Sequence, residues 1–240
     1  MDKIIKYDNL KLFAYTNEKY CKMPIKGIVV SFMGCNGYFT SVNDDPPTGK
    51  FFGEEGILFI TPHNNPWCFM NKQAQDLTNQ VIDVLFEHYN LSDSTPIVYS
   101  GGSMGGQSAL LYTALAKRKP VACVANCPAC DLVYQQRKED FTRIIYSAAY
   151  HQEGTFEEAA KTLSPIHNID KFPRIKYYIF HCDKDEVLDI NHHSDAMVKK
   201  MKEQGFDVTY HVVPDMGHVS LTPDMQELYN NYIINSIKGE

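Results

Sequence analysis

The chain has 240 residues, a formal net charge of −6 and a hydrophobic fraction of 44%. This length and composition suffice for one α/β domain with a full core. The acidic balance argues against a nucleic-acid partner or an anionic membrane surface, since both favour a basic face.

The location of the protein is predicted from its first residues and its cysteines. The opening segment, MDKIIKYDNLKLFAY, has scattered charges and lacks the apolar stretch of a secretory signal. No apolar run approaches the roughly 20 residues of a membrane-spanning helix. The cysteine count, seven, is odd, which favours free thiols over a disulfide framework. We therefore expect a cytoplasmic protein.

Two of the cysteines, Cys127 and Cys130, have the CxxC spacing of metal and redox sites. A zinc site needs a second ligand pair, and a redox site needs a thioredoxin-like context. The chain offers neither, so we interpret these residues as packing thiols and predict no metal and no cofactor.

Eight segments have the pattern of strands. The first two, residues 3–9 and 10–16, alternate between polar and apolar positions and predict an antiparallel pair. Six continuous apolar runs follow, as expected for strands buried on both faces. These runs lie at residues 25–33, 56–62, 95–101, 121–126, 175–182 and 207–213.

Helical periodicity occurs between these runs, at residues 72–89, 103–117, 191–204 and 223–237. Alternation of strand and helix predicts a doubly wound, mostly parallel eight-stranded sheet with helices on both faces. Ligands in such sheets bind beyond the carboxyl ends of the strands.

One connection, residues 127–174, is far longer than the usual handful of residues. It contains two helix-like segments, DFTRIIYSAAYH and TFEEAAKTLSP. We interpret it as a helical cap inserted into a single domain that spans residues 1–240. The alternative is that these helices only pad the sheet.

A glycine-rich turn, SGGSMGG, closes one apolar run and opens a helical one. It contains Gly101-x-Ser103-x-Gly105, the G-x-S-x-G pattern of a nucleophile elbow. Side chains at the two glycines would collide with neighbouring elements, and the tight turn exposes the Ser103 hydroxyl above the strand ends. The alternative, a phosphate-binding loop, lacks both G-x-G-x-x-G and a Walker lysine.

A serine nucleophile needs a base and an orienting acid. In α/β-hydrolases these follow the serine in the order acid, then histidine. His218 is the histidine between the last strand and the last helix, so we expect it to be the base. Asp183, Asp185 and Asp189 all follow the preceding strand, and their spacing alone leaves the acid open.

Three motifs resemble the prolyl oligopeptidase family of serine peptidases and the related carboxylesterases. GGSMGG resembles the family's elbow, HCDKDEV its acid segment, and DMGHVS its histidine loop. In the family pattern the acid lies four residues after the strand-end histidine, which here is His181. The resemblance therefore implies an α/β-hydrolase fold and a catalytic triad of Ser103, Asp185 and His218.

The oxyanion of an acyl-transfer intermediate needs backbone donors. We expect the N–H of Met104, at the start of a helix, and that of Cys35, in the MGCNG loop. The phenol of Tyr38, in the same loop, is a weaker candidate for a further donor.

A second loop, TPHNNPWCFMN, holds the only tryptophan of the chain. Trp67, Phe69 and Met70 either line an acyl pocket or anchor the following helix to the core.

Three functions compete on these observations. We expect a serine hydrolase of carboxylic esters, because no pair of glutamates is clearly placed to hold the amino terminus of a peptide. A serine peptidase acting on short peptides is the second candidate. A non-catalytic small-molecule receptor on the same fold is the third. The oligomeric state stays open.

Overall fold

This computed structural model describes residues 4–36, 47–152 and 154–240. At the centre of the fold lies one mostly parallel sheet. Its seven strands are β1 (Ala14–Thr16), β2 (Gly27–Phe32), β3 (Ile57–Pro62), β4 (Ile97–Gly102), β5 (Ala122–Asn126), β6 (Lys176–Cys182) and β7 (Asp207–Val213). Their order is β1-β3-β2-β4-β5-β6-β7, and only β1 is antiparallel to its neighbour among these strands. The predicted α/β class and the six parallel strands are confirmed.

The prediction of eight strands is wrong, because a 3-10 helix, Tyr7–Leu12, replaces the end of the first expected strand and the start of the second, and the described residues before it form no strand. The side chain of Asn9 captures nearby backbone groups: its Oδ1 accepts from the Lys6 N–H at 2.8 Å, and its Nδ2 donates to the Ile4 carbonyl at 3.0 Å. Such local bonds compete with a strand ladder and favour a turn. The antiparallel edge therefore consists of β1 alone, paired with β3.

The helices of the described residues fill the connections between the strands. They are α1 (Pro47–Glu54), α2 (Lys72–His88), α3 (Met104–Leu115), α4 (Leu132–Gln135), α5 (Glu139–Ala149), α6 (Phe156–Leu163), α7 (Ala196–Glu203) and α8 (Pro223–Lys238). A π-helical turn, Asn191–Asp195, runs directly into α7. None of the helices in the described ranges is long and apolar enough to cross a bilayer.

Both faces of the sheet are covered, which explains the continuous apolar runs of the parallel strands. Alternate residues of β2 point to opposite sides: Ile28 and Val30 join the larger core cluster, and Val29 joins the smaller one. Helices α2, α3 and α7 contribute to the larger cluster, whereas α1 and α8 contribute to the smaller one.

The long insertion between β5 and β6 is helical, with α4, α5 and α6 followed by two short 3-10 turns, Pro165–His167 and Ile169–Lys171. It is attached to the helix after β4, because the buried Gln107 side chain on α3 donates to the Leu163 carbonyl at 2.7 Å. It therefore stands on the face of the sheet that carries α3.

Candidate active site

Ser103 sits in a sharp turn between β4 and α3. Its backbone has φ 59° and ψ −125°, a conformation that residues with a side chain rarely adopt. Its N–H donates to the Asn126 carbonyl at 2.9 Å, and its own carbonyl accepts from the Gln107 N–H at 3.0 Å. These backbone bonds hold the turn so that the hydroxyl stands at the carboxyl ends of the strands.

Two glycines make this turn possible. A Cβ at Gly101 would lie 2.5 Å from the Gly105 carbonyl carbon, and a Cβ at Gly105 would overlap the Phe32 carbonyl oxygen. The elbow is therefore pressed against the end of β2, with no space for a side chain on either flank of Ser103.

His218 lies in the loop between β7 and α8, where its ring joins the serine to an acid. Its Nε2 is 2.9 Å from Ser103 Oγ, and its Nδ1 is 2.7 Å from Asp185 Oδ2. The side chain of His218 is 19% exposed, whereas that of Asp185 is 1% exposed. A chain of hydrogen bonds thus runs from the interior to a hydroxyl that a substrate can reach.

Of the three candidate acids, Asp185 is the one whose carboxylate contacts His218. Asp183 is exposed, and Asp189 accepts from the N–H of Asn191 at 3.0 Å. The loop that carries Asp185 is joined to the histidine loop by two backbone bonds, from Asp183 N–H to the Val213 carbonyl and from Lys184 N–H to the Met216 carbonyl, both 3.0 Å long.

The Asp185 carboxylate is buried, and hydrogen-bond donors of the protein surround it. Its Oδ1 accepts from the N–H groups of Val187 and Leu188, each at 2.9 Å. Burial on its own raises the pKa of Asp185, but hydrogen bonds from His181, His218 and the Leu188 N–H outweigh burial and hold that pKa well below its usual range. The group is therefore a carboxylate at neutral pH.

The two residues predicted to supply oxyanion donors both belong to segments next to Ser103. Met104 is the first residue of α3, and the first N–H groups of a helix have no partner within it. The loop of Cys35 also approaches the serine, since a Cβ at Gly34 would lie 3.7 Å from Ser103 Cβ. Burial raises the pKa of the Cys35 thiol to about 12, so this side chain is an uncharged thiol at neutral pH.

The predicted pocket residues divide between the surface and the core. Trp67 is 44% exposed, donates from Nε1 to Asn36 Oδ1 at 2.6 Å, and borders a 450 Å³ cavity against α5. Phe69 and Met70 are 1% and 0% exposed and lie in the larger core cluster, which favours the alternative that they anchor the following helix to the core. Both residues have positive φ angles in the turn before α2. Tyr38 lies outside the described residues.

The cysteines of the CxxC segment are both buried free thiols. Cys127 Sγ lies with one ligand atom each of His181 and Asp185 in a group less than 4.8 Å across. Burial raises the pKa of Cys127 far above its ordinary value, and the thiol donates to Asn126 Oδ1 at 3.4 Å. His181 and Asp185 are likewise engaged in hydrogen bonds, so this donor set suits a support for the acid better than a metal.

The sequence did not reveal the role of Asn126. Its carbonyl accepts from the Ser103 N–H, and its Nδ2 donates to the Val219 carbonyl at 3.0 Å, next to His218. One residue thus connects the serine turn, through its backbone, to the histidine loop, through its side chain. Because these partners are distant in sequence, no local pattern indicates the link.

A doubly wound sheet with a hydrogen-bonded serine, histidine and carboxylate at its carboxyl edge defines a serine hydrolase of the α/β-hydrolase fold. The sequence pattern of the prolyl oligopeptidase family matches residues 70–232, more than half of the chain. The chain belongs to this family.

Solved structures support the fold. Esterase B from Lactobacillus rhamnosis is similar with a TM-score of 0.70 and 11% identity, over 89% of this chain and 75% of that one. An S-formylglutathione hydrolase from Agrobacterium tumefaciens gives 0.65 and 12%, over 89% and 82%. Carboxyl esterase 2 from Tuber melanosporum gives 0.65 and 15%, over 94% and 81%. The comparison with curated proteins gave no match.

Proposed function

We propose that this protein hydrolyses small carboxylic esters through an acyl-enzyme on Ser103. The observation that carries the proposal is the unbroken series of contacts from Ser103 Oγ to His218 and on to Asp185, at 2.9 and 2.7 Å. A serine is a weak nucleophile unless a neighbouring base takes its proton, and this series supplies the base and its orienting acid.

The reaction proceeds in two steps. Ser103 Oγ attacks the ester carbonyl while His218 Nε2 takes the hydroxyl proton, and the imidazolium then gives that proton to the departing alcohol. Water next attacks the acyl-enzyme while His218 accepts its proton. The imidazolium then returns that proton to Ser103 Oγ as the acyl bond breaks, which releases the carboxylic acid and the free serine. Throughout, Asp185 accepts from Nδ1, which fixes the ring orientation and stabilises the transient positive charge.

Two backbone groups stabilise the tetrahedral intermediates in this mechanism. The N–H groups of Met104 and Cys35 flank the serine and donate to the oxygen that becomes negatively charged. The macrodipole of α3, whose N-terminus begins at the serine, favours the same negative charge.

The substitution Ser103→Ala tests the nucleophile. Turnover of p-nitrophenyl acetate and labelling by a fluorophosphonate should both disappear, because the alanine keeps the backbone but lacks the attacking oxygen. Mass spectrometry of the labelled wild type should locate the adduct on Ser103. Ser108→Ala, which removes a buried hydroxyl of α3, is the control and should retain labelling. Labelling of Ser103→Ala at the wild-type rate contradicts the proposal.

A serine peptidase for short peptides is the second candidate, favoured by membership of the prolyl oligopeptidase family. Wild-type enzyme assayed side by side on p-nitrophenyl esters and aminoacyl-p-nitroanilides separates the two. A higher kcat/KM for the esters supports the first proposal, and a higher value for the anilides supports the second. A wild type that turns over neither and resists fluorophosphonate points to a receptor.

We further propose that residues 127–174 act as a cap within a single domain of residues 1–240. α5, which lies within this segment, borders a cavity together with Trp67. Trp67 is bonded to Asn36, next to Cys35, and this supports a cap on this side of the site. All seven cysteines are free, which suits a reducing compartment such as the cytoplasm.

A further inference from the structure

A second histidine, His181, contacts the carboxylate of Asp185 from the interior. It is the penultimate residue of β6 and is 0% exposed, and its hydrogen bonds go to groups other than Ser103 and His218. Its Nε2 lies 3.3 Å from Asp185 Oδ2 and 3.1 Å from the Leu188 carbonyl. Because its imidazole is fully buried, His181 does not exchange protons with a substrate, and its contacts with Asp185 and Leu188 define what it does.

The protonation of this ring follows from its partners. Both groups facing Nε2, a carboxylate and a carbonyl, are acceptors only, so Nε2 carries a hydrogen and donates. In the neutral ring Nδ1 is then an acceptor, and its partner is the Ser194 hydroxyl at 2.6 Å. The opposite tautomer would set lone pairs of Nε2 against two acceptors.

Ser194 is buried at the position where it contacts His181. It lies in the π-helical turn Asn191–Asp195 and is 0% exposed. Its neighbour His193 accepts from the Asp131 N–H at 3.2 Å and contacts Gln135 Oε1 at 3.0 Å, which ties the turn to α4. π-turns inside helices occur frequently at functional sites.

With His181 included, the Asp185 carboxylate has four donors. Oδ1 accepts from the N–H groups of Val187 and Leu188. Oδ2 lies 2.7 Å from His218 Nδ1 and 3.3 Å from His181 Nε2. The other titratable groups facing His181 are the buried Cys127 thiol and the His193 ring. None of these replaces the donor that His181 supplies to Oδ2.

We propose, on the basis of the function proposed above, that Ser194 and His181 are positioning residues for the acid. Ser194 donates to Nδ1 and holds the orientation of the His181 ring, and His181 holds Oδ2 of Asp185 in line with His218 Nδ1. The hydrogen-bond series of the site therefore runs over five side chains, from Ser194 through His181, Asp185 and His218 to Ser103.

The variant Ser194→Ala tests the first link by removing one oxygen. We expect kcat and the rate of fluorophosphonate inactivation to fall about tenfold with KM unchanged, because the acid aligns less often with His218. The matched control is Ser164→Ala, another buried hydroxyl that bonds Leu132 N–H and the Ala160 carbonyl, away from the site. Equal losses in the two variants, or no loss in Ser194→Ala, overturn the proposal.

A pair of variants at the second link gives a rescue test. His181→Gln keeps an N–H donor near Oδ2 and should retain kcat within about threefold, whereas His181→Leu should lose about tenfold or more. If Ser194→Ala fails to fold, this pair decides the matter, with circular dichroism checking each variant. Equal kcat values for the two overturn the proposal. Failure of the proposed function is distinct, since wild type itself then resists fluorophosphonate.

Discussion

Ser103 combines a reactive position with an unfavourable backbone. A non-glycine residue at φ 59° and ψ −125° costs on the order of 1–3 kcal/mol, and surrounding structure must maintain it. Here the N–H and carbonyl of Ser103 are both bonded, and the flanking glycines let neighbouring backbone approach. The strain thus lies at the one residue whose side chain must leave the core.

Gly105 is the glycine of the elbow that lies closest to neighbouring backbone atoms, so we expect it to tolerate substitution least. In Gly105→Ala the new methyl group overlaps the Phe32 carbonyl, with the Phe32 carbonyl carbon at 2.7 Å, and both are backbone atoms. We expect the free energy of unfolding to fall by about 2 kcal/mol or more, measured by urea denaturation. Gly217→Ala is the control, because a Cβ there meets nothing within 4 Å. Equal stability of the two variants contradicts this prediction.

At the scale of residues, the sequence indicates a candidate where chemistry constrains the spacing, and it gives no signal where a contact joins remote positions. Ser103 could be selected from its motif and His218 from its loop. Spacing alone left three aspartates open, the family resemblance indicated Asp185, and in the structure the carboxylate of Asp185 contacts His218. Ser194 gave no signal, since its contact with His181 depends on an unusual turn 13 positions further along the chain. Such contacts are set by tertiary packing, which local patterns do not contain.

At the scale of elements, strands β2 to β6 were predictable because burial on both faces leaves them largely apolar, whereas β7, at the edge of the sheet, is only partly buried. Helix α1 was not predicted, since its sequence PTGKFFGE includes two glycines that disfavour helices. Packing explains them: a Cβ at Gly53 would lie 2.8 Å from the Tyr20 carbonyl oxygen, and one at Gly49 would overlap the Tyr15 hydroxyl. Close approach to neighbouring elements outweighs local propensity in this helix.

Gln107 connects three elements through one buried amide. Its Nε2 donates to the Phe69 carbonyl at 3.1 Å and the Leu163 carbonyl at 2.7 Å, joining α3 to the tryptophan loop and the insertion. Gln107→Met leaves both carbonyls without this donor and should lower the free energy of unfolding by about 2–4 kcal/mol in urea denaturation.

The matched control for this variant is Gln80→Met. Gln80 lies on α2 and its amide contacts only its own helix, at the Asp76 carbonyl, so its replacement should change stability by less than about 0.5 kcal/mol. A Gln107→Met protein as stable as Gln80→Met would show that the three elements hold together without this amide.

At the scale of the molecule, stability depends on pH through a buried histidine. Burial, with a smaller contribution from His181, lowers the pKa of His193 to about 4 from its ordinary 6.5. The unfolded chain therefore binds more protons between these two values, so the free energy of unfolding falls as the pH is lowered from about 6.5 to about 4. The limiting slope is about 1.4 kcal/mol per pH unit for one proton.

Replacement of this residue separates its contribution from that of other groups. In His193→Gln the decline between pH 6.5 and 4 should be shallower than in wild type, as measured by urea denaturation at a series of pH values. Parallel curves for the two proteins contradict the assignment. Below about pH 4 the Asp185 carboxylate adds a separate loss, because its depressed pKa stabilises the fold only above the ordinary carboxyl range.

The order of the strands gives the halves of the site unequal protection. β4 occupies the middle of the seven strands, whereas β7, which leads to the His218 loop, is at an edge with Val212 48% exposed. Edge strands fray at lower free-energy cost than central ones. On warming, β7 unfolds before β4, so the loop of His218 is displaced while Ser103 is still held in place. Activity is therefore lost at a lower temperature than the one at which the whole fold melts.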